Sequence, residues 1–391
     1  MPRPAPLPLL QNGFRPFFLA GAAWAPVALA IWLAVLAGAP APPLALPASA
    51  WHAHELLFGY GGAVIAGFLL TAVPNWTGRL PIAGRALLGL CALWLAARLG
   101  NLAAGALGPA LLCLDVAFWT ALATLTGREV LIGRNRGNLV PVALVTLLAV
   151  GCALSQAEAL GAPTGELGRR AGLAAILVLI GLMGGRVVPS FTRNWLARQP
   201  GAPLPAPFGR VDQAALGLLV LAVAWWVIAP ERGLTATVLA AAGLALLVRL
   251  ARWRGWATTA EPLVTILHLG YGWLGAGLLL HGLGGLLPGS VGRLATLHAL
   301  TAGAIGTMTL AIMTRATLGH TGRALVANRA TAALYAMVQL GAALRVLAPV
   351  LPLDYPTVLG VAAALWGGAF VVFVGRYGPM LLRPRPAAGP G

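Results

Sequence analysis

The sequence predicts an all-α polytopic membrane protein of about twelve transmembrane helices, and three observations predict it. Of 391 residues, 59% are hydrophobic and 9% are charged, a balance foreign to soluble domains of this length. Apolar runs of about 20 residues, the length that crosses a hydrocarbon core of ~30 Å, recur along the whole chain. Every basic residue is Arg, and the arginines crowd into alternate inter-span segments.

In chain order the expected spans are 17–38, 52–73, 86–104, 110–131, 140–160, 172–191, 214–228, 234–250, 262–286, 291–313, 330–350 and 357–374. Arg3 and Arg15 precede the first. Arg79 and Arg85 follow the second, Arg128, Arg134 and Arg136 the fourth, and Arg193, Arg198 and Arg210 the sixth. Arg249, Arg252 and Arg254 follow the eighth, Arg315, Arg323 and Arg329 the tenth, and Arg376, Arg383 and Arg385 the last. That side holds 19 of the 26 arginines. The positive-inside rule therefore puts both termini in the cytoplasm and the segment 39–51 outside.

The expected organisation is a cytoplasmic segment 1–16, a transmembrane domain 17–375 and a cytoplasmic tail 376–391, whose RPRPAAGPG end reads as disordered. The N-terminus lacks a short apolar core with a small-residue cleavage site, so the first span reads as a retained anchor. A net charge of +17 would point a soluble protein toward nucleic acid. Here its distribution assigns it to membrane anchoring, with the lipid bilayer as partner. Cys91, Cys113 and Cys152 stand singly within apolar runs, without CxxC spacing, and read as packing residues.

The second and tenth spans look like copies. HELLFGYGGAVIAGFLLTAVPNWTGR (54–79) and HALTAGAIGTMTLAIMTRATLGHTGR (298–323) align without a gap. His54 matches His298, Gly59 matches Gly303, Gly62 matches Gly306, and both stretches end in TGR. VVPSFTRN (187–194) is a weaker echo in the sixth span, with no histidine at its outer end. Spans 2, 6 and 10 lie four apart, which predicts three units of four helices.

Span direction places His52, His54, His281 and His298 toward the outer face, and His268 and His320 in the inner half. Residues two apart on a helix point about 200° apart, so His52 and His54 cannot share one metal unless the helix frays at its start. His268 and His281 stand about 20 Å apart along one helix, and His298 and His320 about 33 Å. Ionisable groups in lipid are costly and commonly functional, and imidazole is a common ligand of haem iron and copper. The matched glycines either let helices approach closely or admit a flat macrocycle. Arg186 either snorkels to the headgroups or pairs with a haem propionate. Asp115 either pairs with Arg98 or carries protons. Glu55 either caps its helix or orients an imidazole.

GFRPFFL (13–19), WHAHELLFGYGGAVIAGFLLTAVPNWTG (51–78), GGRVVPSFTRN (184–194) and the 298–323 stretch resemble the signature segments of the NnrS family, over nearly the whole chain. The resemblance implies a multi-pass protein of the bacterial inner membrane, associated with haem and copper and linked to nitric oxide in denitrification or nitrosative stress. His52, His54, His298, His320, Arg186 and Arg193 fall within those segments. His268 and His281 rest on position alone. The matched histidines are also similar to the haem-holding pair of haem–copper oxidases and nitric oxide reductases. The histidines of that family's spans 6 and 7 have no counterpart here.

The expected site has His54 and His298 as axial haem ligands, His52 and His281 at copper or a second haem, and His268 with His320 at a separate inner site or none. Arg186 and Arg193 are candidate cofactor contacts. Whether the protein is an enzyme, and which electron donor would serve it, the sequence leaves open. Competing readings are a copper or haem transporter, and an assembly or sensor factor that protects the metal centres of partner enzymes.

Overall fold

A computed structural model describes residues 7–134 and 136–386. The expected N-terminal segment and disordered tail therefore lie partly outside the described residues. Twelve helices are long and apolar enough to span a membrane, and no strand occurs among the described residues. They are α1 (Phe14–Leu36), α2 (Ala48–Thr77), α3 (Gly84–Leu107), α4 (Pro109–Ile132), α5 (Leu139–Ala159), α6 (Leu167–Leu196), α7 (Arg210–Ile228), α8 (Gly233–Ala251), α9 (Pro262–Leu286), α10 (Arg293–His320), α11 (Arg329–Leu347) and α12 (Tyr355–Leu382). Each overlaps one expected span. The last helix runs past its expected end because hydropathy measures how deep the chain sits in lipid, whereas hydrogen bonding carries the helix on through Arg376 and Pro379.

The chain divides into two units. One holds residues up to Ala175 with Ala316–Ala324 and the chain from Phe373 onward, and the other holds Ile176–Arg315 and Leu325–Val372. Close backbone approach organises each. In the first unit a Cβ on Gly168 of α6 would sit 2.4 Å from the Ser155 nitrogen of α5, and one on Gly172 would sit 2.5 Å from the Phe58 ring of α2. In the second, a Cβ on Gly243 of α8 would meet the Leu279 nitrogen of α9 at 2.3 Å. With no hydrophobic force between helices in lipid, such small residues supply the packing.

Three helices stand apart from the rest. In α2, α6 and α10, 72%, 72% and 67% of the most apolar stretch is buried, against 28 to 39% in every other span except α9. The same three carry a π-helical segment, at Glu55–Tyr60, Ile180–Gly184 and Ala299–Ile305. A π turn shifts the backbone ladder by a residue and leaves a carbonyl available to another donor. In each segment a side chain from another span takes one. Trp94 Nε1 donates to Gly59 O at 3.0 Å, Arg249 to Gly181 O at 3.0 Å and Trp366 Nε1 to Ala302 O at 3.1 Å. The spacing of four between these helices was legible in the repeat, and the interruption they share was not.

Candidate functional site

The first turns of α2 are regular helix and end at His54, where the π segment begins. His52 and His54 accordingly face different ways. The His52 ring stacks on Trp32 at 5.5 Å, while His54 is fully buried. His54 Nε2 lies 2.6 Å from Asp115 Oδ2 of α4, and Nδ1 lies 2.9 Å from Ser155 Oγ of α5. The carboxylate can only accept, so Nε2–H is the donor and the tautomer is set by Asp115. Ser155 arrives at this depth because Gly151 and Gly168 bring α5 and α6 backbone to backbone.

Asp115 also pairs with Arg98 of α3, and Arg98 reaches Glu55 Oε2 at 2.6 Å. Glu55 accepts further from Asn101 and from Trp24 Nε1, both at 2.8 Å. Asn101 bridges to Asp115 at 3.0 Å and accepts from Gln156 at 2.9 Å. His54, Glu55, Arg98 and Asp115 have no exposed surface. Glu55, although next to His54 in sequence, faces Arg98 instead, and Asp115 is the carboxylate that orients the imidazole. Two carboxylates against one guanidinium leave a negative charge that an imidazolium at His54 or a bound cation would balance. A ligand atom from each of His54, Asp115 and the fully buried Cys152 lies within 4.8 Å of the others.

The glycines that could have admitted a macrocycle face filled space. A Cβ on Gly59 would meet Arg98 at 2.4 Å, and one on Gly62 would meet Trp119 at 2.8 Å. The matched pair behaves alike, with Gly303 against Trp273 and Gly306 against Trp366, both at 2.6 Å.

Three histidines lie in the second unit. His298 Nδ1 is 2.7 Å from Leu294 O, a group that only accepts, so Nδ1–H donates and Nε2 keeps its lone pair. His281 Nδ1 is 2.7 Å from Thr296 Oγ1, whose own proton goes to Arg293 O at 2.8 Å, so the same tautomer follows. This bond ties α9 to α10 across their short connection. His268 donates through Nε2 to Thr192 Oγ1 at 2.8 Å, because the Thr192 hydroxyl is committed to Val188 O. Its Nδ1 is buried with no hydrogen-bond partner and faces Gly255.

The family model described as NnrS protein matches residues 8–385. The chain belongs to the NnrS family. Membership supports a nitric-oxide-related membrane protein, in keeping with the twelve spans. No curated protein matches the chain.

Among the NnrS segments, GFRPFFL begins α1 and buries Arg15, whose guanidinium caps the end of α12 at Leu381 O and Arg383 O, both at 2.8 Å. Arg186 is exposed, and Arg193 donates to Pro205 O at 3.1 Å. His320 lies at the end of α10 with its ring 5.3 Å from Phe14. Sequence reasoning missed three contributors. Cys152 read as packing, Ser155 drew no attention, and Arg249, counted with the headgroup arginines, is buried on Asp212 at 2.8 Å and on Tyr271 Oη at 2.7 Å. An Arg five residues inside a run that two further arginines close was the available signal.

Proposed function

We propose that this protein sits in the bacterial inner membrane with both termini cytoplasmic, holds copper and haem, and binds or converts nitric oxide in denitrification or nitrosative-stress defence. The observation that carries the reading is the buried group of His54, Asp115 and Cys152, whose nitrogen, oxygen and sulfur donors converge and whose surroundings leave a negative charge to balance. Imidazole and thiolate together suit copper. Donor atoms of Asp115 and Cys152 lie within 4.8 Å of a His54 nitrogen, a mixed set that suits copper better than an axial position on haem. His298 fits the haem role, since a ring whose Nδ1–H is held by a backbone carbonyl presents Nε2 in fixed orientation. His281 has the same tautomer, and His281 and His52 are each proposed as a ligand of copper or a second haem within its own unit.

When bound, the metals supply the one-electron chemistry and the affinity for nitric oxide. The chain supplies the rest. Asp115 holds the His54 ring, Arg98 offsets the carboxylates, and complete burial excludes water while an apolar gas enters from lipid. Arg186 and Arg193 share α6 with Thr192, the hydrogen-bond partner of His268, and are proposed as contacts for acidic groups of a cofactor near that histidine. His320 would belong to a separate inner site.

The open Nδ1 of buried His268 also favours a second reading, a transporter passing metal toward the inner half. Stoichiometric haem and copper in protein purified from replete cells support the first reading. A colourless, metal-free preparation that catalyses copper flux in proteoliposomes overturns it for the second.

A further inference from the structure

Three arginines with no counter-charge among the described residues surround a cavity of about 220 Å³ where α10 ends and α12 makes its last turns. Arg323, Arg376 and Arg383 line it with Gly375, Pro379 and Met380. Among the described residues no carboxylate lines it. The chain has nine acidic side chains, and all are engaged elsewhere. Glu55 and Asp115 hold Arg98, Glu129 holds Arg79, Glu158 holds Arg169, Glu166 holds Arg170, Asp212 holds Arg249, and Glu231 holds Arg293. Glu261 and Asp354 cap the first turns of α9 and α12. Among the described residues no carboxylate therefore balances this cavity, which leaves it open to an anion from outside.

Two further features prepare the place for an anion. A helix end presents carbonyl oxygens that repel negative charge. Arg15, 2% exposed, covers those of α12 by donating to Met380 O, Leu381 O and Arg383 O. Its buried Nε is left without a partner. Gly322, the glycine of the TGR motif, has φ +73, and a Cβ there would meet Arg385 Nε at 2.5 Å. Glycine thus permits the left-handed turn and lets a further arginine lie across it beside Arg323.

We propose that Arg323, Arg376 and Arg383, backed by Arg15 and Arg385, form a binding site for a phosphate group, carried by an anionic lipid or free in solution. Guanidinium forks match phosphate oxygens two at a time. Basic pockets between transmembrane helices on the cytoplasmic side take lipid headgroups. The site is independent of the metal reading and uses none of its residues, and it gives GFRPFFL and TGR a shared task.

The test uses the full chain, delipidated in neutral detergent. Native mass spectrometry reads binding of phosphatidylglycerol against phosphatidylcholine, and calorimetry reads binding of inorganic phosphate. The wild type is expected to retain phosphatidylglycerol selectively. Arg376→Gln should weaken it about tenfold, the value of one charge-assisted hydrogen bond. Joint replacement of Arg323, Arg376 and Arg383 by Gln should abolish it, and Arg232→Gln, at an arginine that does not line the cavity, should change nothing. Phosphatidylglycerol bound without inorganic phosphate identifies a lipid site, and binding of both identifies a site open to solution. Equal retention of both lipids by wild type and triple variant, with no heat from phosphate, overturns the proposal. If the triple variant does not remain monodisperse, Arg376→Gln and Arg376→Lys decide. Full affinity in both is then the overturning result.

Discussion

Arg98 is the side chain on which the buried cluster depends, because it faces Glu55 and Asp115 with no exposed surface among the three. Removing it strands two carboxylates in an apolar interior. Arg98→Ala should cost about 3–5 kcal/mol, read as a lower unfolding midpoint in detergent or as loss of monodisperse protein. Wild-type stability in this variant would mean that water reaches the cluster. Little of this was legible in the sequence. Asp115 and His54 are 61 residues apart, and neither hydropathy nor spacing reports a contact made across three helices. Glu55 misled through adjacency, since on a helix the next residue points about 100° away. The pairing of Asp115 with Arg98 was readable because both charges fall at similar depth on neighbouring spans. Cys152 was not, because a thiol inside an apolar run looks the same whether it packs or ligates.

At the scale of elements, apolar run length fixes how many helices there are, and the ungapped match of 54–79 with 298–323 singles out α2 and α10. The π segments were invisible, because a one-residue shift in the ladder leaves composition unchanged. Their side-chain donors make them testable. Trp366→Phe keeps the ring over Gly306 and removes the bond to Ala302 O. It should cost about 1 kcal/mol and speed amide hydrogen exchange across Ala299–Ile305 while leaving Glu55–Tyr60 unchanged. Equal exchange in variant and wild type would show that the segment holds without its side-chain donor. Close packing gives a second expectation. Gly243→Leu would drive a side chain into the α9 backbone, and should destabilise the protein by at least about 1–3 kcal/mol, seen in its thermal midpoint.

For the whole molecule, the arginine asymmetry predicts sidedness. A cysteine in place of Ala41, in a background with the three native cysteines replaced by Ala, should react with an impermeant maleimide added outside spheroplasts. Reaction only after the inner face is exposed would invert the topology. Family membership and twelve spans tie the protein to nitric oxide and the membrane, while the metal assignment rests on individual donors, so the decisive measurement separates those donors. Copper content and the haem absorption band should be measured in matched preparations of wild type, Cys152→Ser and His298→Ala. The account predicts that Cys152→Ser loses copper and keeps the haem band, while His298→Ala keeps copper and loses or shifts the band. Copper unchanged in Cys152→Ser, or a haem band unchanged in His298→Ala, would contradict it.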